Sequence, residues 1–264
     1  MRKIKTLLLW AASIYILVGV GLYAFQKKII FRPESLSDDY KFEFNIPFEE
    51  LRIPINPKEQ LSAILFKASQ PKGIVLYFHG NMKHIGFYGK YVPNFTSQGY
   101  DVLMMDYRTF GKSTGELSEA LIYQDALHMY QIARKRFEPG QIIIYGRSLG
   151  TGIAAQLAAV RDCKRLILEA PYYSVEDVAK HFIPFYPHGL LLEFKFPTYT
   201  YLPKVTAPVS IFHGTDDHTI PYASGEKLKQ YFKPGDEFIS IKGATHNNLN
   251  DYPLFHQRLD EMLK

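Results

Sequence analysis

A lone cysteine, Cys163, excludes an internal disulfide, and its place at the start of an apolar run reads as packing, with nothing nearby to make a reactive thiol. Acidic side chains are missing from residues 1–32, which hold six basic ones: Arg2, Lys3, Lys5, Lys27, Lys28 and Arg32. The formal charge is +5, so residues 33–264 together carry −1 and offer no footprint for nucleic acid. His-Glu-x-x-His and comparable ligand spacings are absent, so a metal mechanism is not expected and no cofactor is implied. Gly111-Lys112-Ser113-Thr114 imitates the end of a phosphate-binding loop, but the glycine such a loop needs at position 106 is Asp106. Asn94-Phe95-Thr96 matches a glycosylation sequon by pattern and lies in a stretch read as helix.

Charge is also absent from Thr6 to Phe25, a stretch of 20 residues between basic flanks. As a helix it covers about 30 Å, the hydrocarbon thickness of a bilayer. Trp10 and Tyr23 suit interfacial anchoring, while Tyr15 lies nearer the middle. A cleavable signal peptide would have a shorter apolar region and an Ala-x-Ala-like site, whereas this one ends Leu-Tyr-Ala-Phe-Gln-Lys-Lys. Residues 1–32 are therefore expected to be an uncleaved single-pass membrane anchor. Both flanks are basic; the orientation taken is N-terminus inside, with residues 33–264 as one large domain on the far side.

Downstream, strands and helices alternate. Phe42–Pro54 and Leu61–Lys67 read as early strands, followed by Gly73–Phe78, Asp101–Asp106, Gln141–Tyr145, Arg165–Ala170, Val209–Phe212 and Glu237–Ile241. Tyr88–Gln98 reads as a helix; Ile122, Ala126, Met129, Ala133 and Phe137 share one helical face, as do Phe255, Leu259 and Met262. The expected fold class is α/β, a mostly parallel sheet with helices on both faces. Residues 171–204 break the alternation: they are crowded with aromatics and punctuated by Pro184, Pro187, Pro197 and Pro203. They are expected to form a small lid over the strand ends with an apolar acyl or side-chain pocket beneath it, the alternative being an irregular packed loop.

The chemistry centres on Gly146-Arg147-Ser148-Leu149-Gly150, which follows an apolar β-branched run and precedes an Ala-rich segment. Strand, sharp turn and helix in that order make a nucleophile elbow, with Ser148 strained at its tip and the Leu149 amide at the positive end of the helix. A serine hydroxyl needs a base, and the base a carboxylate to orient it. Asp217 is the expected acid, in His213-Gly214-Thr215-Asp216-Asp217-His218-Thr219-Ile220-Pro221, with Asp216 as the alternative; His246, between the last strand and last helix, is the expected base. His79 and His213 precede glycines at strand ends and read as structural turn residues, while the remaining six histidines lack that context. The oxyanion hole is expected from the amides of Leu149 and Asn81, with Met82 as the alternative to Asn81.

His79-Gly80-Asn81, Asp106 to Gly115, Gly146 to Gly150, His213 to Pro221 and His246, taken in order over about residues 40–264, resemble the membrane-anchored α/β-hydrolases of the serine-aminopeptidase-like group, with its depalmitoylase-like and esterase-like relatives. The resemblance implies an α/β-hydrolase fold, with Ser148 as nucleophile, Asp217 as acid and His246 as base. It also implies hydrolysis of an ester, thioester or amide through an acyl-enzyme. Thr109 departs from the pattern, since relatives usually carry glycine after Tyr-Arg. A small-molecule or lipid-like acyl substrate is expected; a peptidase for short peptides and a catalytically silent tethered binding protein are the competing readings.

Overall fold

The computed structural model describes residues 2–264. Eight strands make one sheet: β1 (Phe48–Asn56), β2 (Glu59–Phe66), β3 (Gly73–Phe78), β4 (Tyr100–Met105), β5 (Ile142–Arg147), β6 (Arg165–Glu169), β7 (Val209–Gly214) and β8 (Glu237–Ile241). Their order across the sheet is β8-β7-β6-β5-β3-β4-β2-β1. β2 pairs antiparallel with β1 and β4, and every other pair is parallel. The central strands read as unbroken apolar runs because both faces are covered. On β3, Ile74, Leu76 and Phe78 enter one core layer while Val75 and Tyr77 enter the other; β5 divides Ile142 and Ile144 from Ile143 and Tyr145 in the same way. Burying each such large aliphatic or aromatic side chain contributes about 1.5–3 kcal/mol.

Seven helices carry the argument: α1 (Arg2–Ile30), α2 (Glu119–Arg134), α3 (Gly150–Val160), α4 (Val175–Phe182), α5 (His188–Leu191), α6 (Thr198–Tyr201) and α7 (Pro253–Leu263). The apolar faces foreseen for α2 and α7 are buried. Ser118 caps α2, its hydroxyl accepting from the Leu121 amide at 3.3 Å, an interaction worth about 1 kcal/mol. Among the described residues, α1 is the one helix long and apolar enough to cross a membrane. Its buried positions are Gly19 and Gln26.

Two sequence expectations need correction. The first strand starts at Phe48, not Phe42. The alternation of Phe42, Phe44, Ile46 and Phe48 continues through Pro47, which has no N–H to give a ladder; Phe42 and Phe44 instead pack as a stacked pair, with Phe44 against Phe66. Residues 88–98 do not form one helix. They break into Ile85–Tyr88, a 3-10 turn at Gly89–Tyr91, and Pro93–Thr96, because proline starts a helix readily but cannot sit inside one. The insertion at 171–204 is neither strand nor plain loop: it holds α4, α5 and α6.

Candidate active site

β5 ends in the elbow. Ser148 has φ +52°, a left-handed conformation that costs a non-glycine residue about 1–3 kcal/mol. The surroundings enforce it. The Ser148 amide donates to the Glu169 carbonyl (2.8 Å), and its own carbonyl accepts from the Thr151 amide (2.9 Å) and hydroxyl (2.7 Å). A methyl group on Gly146 would lie 2.5 Å from the Gly150 carbonyl and 2.8 Å from Ala154 Cβ, so α3 could not pack so closely on β5.

Three side chains distant in sequence meet there. His246 Nε2 lies 2.9 Å from Ser148 Oγ, and Nδ1 lies 2.7 Å from Asp217 Oδ2. An ionised carboxylate only accepts, so Nδ1 carries the proton and Nε2 presents its lone pair to the hydroxyl. Asp217 Oδ1 accepts from the amides of Thr219 (2.9 Å) and Ile220 (2.8 Å). Burial pushes the Asp217 carboxyl up, but hydrogen bonds from His213 and His246, the charge of His246 and the Ile220 amide outweigh it and hold the group well below the usual carboxylate range. Asp216 is exposed and accepts from the Thr215 hydroxyl instead. The His246 loop is pinned where Asn248 Oδ1 accepts from the Thr245 amide at 2.7 Å.

Beside the elbow runs His79-Gly80-Asn81. A Cβ on Gly80 would stand 3.7 Å from Ser148 Cβ, so this loop borders the hydroxyl. The Asn81 side-chain amide donates to the Ile30 carbonyl (2.7 Å), and the Asn81 carbonyl accepts from the Arg32 amide (2.7 Å). Residues Arg32–Pro33 and Met82–Lys83 pair there as a short parallel ladder. The end of α1 is thus tied to the loop beside Ser148.

Two features escaped sequence reasoning. His213, expected to be a turn residue only, is fully buried, with Nε2 3.4 Å from Asp217 Oδ2 and 3.1 Å from the Ile220 carbonyl. Its place at the end of β7, four residues before the acid, put it near the site but did not reveal the contact. Behind Ser148, Arg147 pairs with Glu169 at 3.3 Å and lies 4.3 Å from the Tyr91 ring centre, while the Tyr145 hydroxyl donates to Glu169. Breaking a buried pair of this kind by removing one partner costs about 3–5 kcal/mol. Cys163 is half-buried, and burial pushes its thiol up to about 12, which leaves it inert at neutral pH. Asn94 of the sequon donates to Asn250 Oδ1 at 2.7 Å. Lys112 pairs with Glu50 at 2.7 Å.

Residues 69–192 match the family described as "Serine aminopeptidase, S33". In the solved esterase Pf2001 of Pyrococcus furiosus the same fold covers 89% of this chain and 97% of that one, with TM-score 0.70 at 16% identity. The chain has the α/β-hydrolase fold. Among curated relatives, this hydrolase is 28% identical to the lysophosphatidylserine lipase ABHD12 of Danio rerio, over 86% of its own length and 72% of the relative's. It is 31% identical to alpha/beta hydrolase domain-containing protein 17C of Xenopus tropicalis, over 72% of its own length and 61% of the relative's. It thus spans about three fifths of the 17C proteins. The family match over residues 69–192 and the curated relatives support a serine-hydrolase enzyme, while the likeness to the esterase bears on the fold.

Proposed function

We propose that this enzyme cleaves the ester or thioester bond of a lipid-like acyl substrate through a Ser148-Asp217-His246 triad, from a single-pass anchor in the membrane. The observation that carries the reading is the position of His246, within hydrogen-bond reach of both Ser148 and Asp217. In the first half-reaction Ser148 Oγ attacks the acyl carbon and its proton passes to His246 Nε2. The imidazolium is held by ionised Asp217 and then gives that proton to the leaving alcohol or thiol. Water repeats the sequence on the acyl-enzyme and releases the acid. The amides of Leu149 and Asn81 receive the oxyanion; hydrogen bonds within the described residues engage neither of them, and one such donor is worth about 2.7–4 kcal/mol in the transition state.

Residues 1–32 act as the anchor, with the N-terminus inside, and residues 33–264 as the hydrolase domain, with 171–204 as its lid. Two observations support an acyl substrate: the apolar side chains of the lid and the lipase name carried by the ABHD12 relative. The test is hydrolysis of p-nitrophenyl esters of graded acyl length beside aminoacyl anilides. Wild type is expected to prefer acyl esters and Ser148→Ala to cleave neither class. Ester hydrolysis that survives in Ser148→Ala would remove the triad, and a preference for anilides would make the enzyme a peptidase.

A further inference from the structure

We infer that the tip of the lid, residues 181–192, enters the membrane beside α1, and that the groove between the two holds a lipid acyl chain. This rests on the reading of α1 as an anchor and is independent of the triad.

Between Lys180 and Glu193 the chain has no Asp, Glu, Lys or Arg. Its large apolar side chains face outward: Phe185 is 82% exposed and Leu190 86%. In water such a patch is costly; in a bilayer it is not. The tip does not hang free. The Tyr15 and Tyr186 rings stack at 4.5 Å, and Gly19 leaves room for them, since a Cβ there would lie 3.2 Å from the Tyr186 ring. From Tyr15 to Gln26 the helix rises about 16 Å, so the tip runs along half of the span that α1 places in hydrocarbon. Charge resumes at one level on both elements, where Lys27 lies 3.9 Å from Glu193. That level marks the interface.

Irregular backbone survives in hydrocarbon only where its polar groups find partners within the protein. Here they do. The Tyr15 hydroxyl donates to the Phe185 carbonyl (2.7 Å) and the Tyr186 hydroxyl to the Tyr15 carbonyl (3.0 Å). His188 Nε2 lies 2.6 Å from the Ile183 carbonyl. Gln26, the buried polar residue of α1, donates to the Leu191 carbonyl (3.1 Å) and accepts from the Glu193 amide (2.8 Å). Pro184 and Pro187 have no amide hydrogen to satisfy.

Between α1 and the lid lies a groove of about 240 Å³, lined by Leu22, Gln26 and Ile30 on one side and Val178, Phe182 and Leu191 on the other. The polar atoms of Gln26 and Nε2 of His188, which also lines the groove, are already engaged, so the walls offer little to a peptide backbone or a headgroup. An acyl chain from the adjoining leaflet is the occupant that fits. The groove ends at Ile30, whose carbonyl the Asn81 side chain holds, next to the loop that borders Ser148.

The test uses the full chain in phosphatidylcholine vesicles, with Trp10→Phe removing the native tryptophan. Single tryptophans are introduced as Phe185→Trp, Leu190→Trp, Val178→Trp and, as an aqueous reference, Tyr40→Trp. Vesicles of acyl-brominated phosphatidylcholine are expected to quench the tip and groove probes strongly and the Tyr40→Trp probe little, with the order reversed for iodide. Iodide quenching of the tip probes with no bromolipid effect would place the tip in water and overturn the inference. Quenching at the tip but not at Val178→Trp would overturn the groove as an acyl site. Val175→Trp replaces Val178→Trp if its circular dichroism is not that of the parent. None of these readings depends on catalysis, so Ser148→Ala can be used throughout.

Discussion

The two ends of the 171–204 insertion, the proposed lid, are made of similar residues and put to opposite use. At the base, aromatics are buried in protein: the Tyr172 hydroxyl donates to the Leu149 carbonyl at 2.9 Å, Phe194 and Phe196 are buried, and Ser174 caps α4. Asp177 in the first turn of α4 accepts from the Ser224 hydroxyl at 2.6 Å and pairs with Lys227 at 2.5 Å. At the tip, Phe185 and Leu190 project outward, and the polar contacts run to α1 instead of to the sheet. Composition alone does not separate root from tip. What separates them is which surface supplies the burial: the folded domain at the root and, on our reading, lipid at the tip. The candidate catalytic rim belongs with the root, since the side chains of Ser148, His246 and Asp217 are each held by another.

The sharpest way to break that contrast is at the rim. Ser148→Ala or His246→Ala is expected to lower kcat by on the order of 10⁴–10⁶, with the double variant no worse than either single one, as measured with a soluble acyl ester. Asp217→Asn follows, at about 10⁴, because the imidazole then loses the partner that fixes its tautomer. The same carboxylate makes a pH prediction. Its folded pKa is depressed, so its stabilisation is fully present above the unfolded carboxylate value of about 4 and is lost as the pH falls through the lower folded value. In thermal melts Asp217→Asn should unfold below wild type at pH 7, and the gap should close as the pH drops below about 4.

His213→Asn should cost less. Losing one hydrogen bond to a charged group is worth about 1.5–3 kcal/mol, on the order of 10–100-fold in kcat if felt in the transition state. KM should hold; a change confined to KM would show that His213 does not act through Asp217. At the tip, Gln26→Leu leaves the Leu191 carbonyl and Glu193 amide without partners, a loss of about 1–3 kcal/mol per group. It should appear as faster hydrogen exchange over residues 183–193 with the rim unchanged, and exchange that rises equally at both ends would erase the distinction between them. The smallest effect is expected at Thr109, whose φ is +74°. Thr109→Gly should relieve about 1 kcal/mol of strain, read as a small rise in the melting temperature.

Much of the candidate rim was legible from sequence because each proposed catalytic side chain sits just past an apolar run, and strand ends converge on one edge of a parallel sheet. The meeting of Ser148, Asp217 and His246 needed only that rule and their chain order. The contact of His213 with Asp217 was not legible, since the turn that folds the acid back onto the strand end depends on the Thr219 and Ile220 amides. The Arg147–Glu169 pair depends on the β5–β6 register, which sets those residues side by side and which periodicity does not reveal. The departure at Thr109 was visible as a missing glycine, and the positive φ explains why glycine is usual there. Gln26 directly follows the uncharged stretch Thr6 to Phe25. Its role as a clasp on the lid depends on contacts between segments some 165 residues apart.

The central claim is that Ser148 is made reactive by His246. Peptide mass mapping after exposure to a fluorophosphonate tests it most directly. The account predicts one adduct, on the peptide carrying Ser148, formed by wild type and lost in a folded His246→Ala variant. An adduct on another residue, or labelling of Ser148 at an undiminished rate without His246, would contradict it.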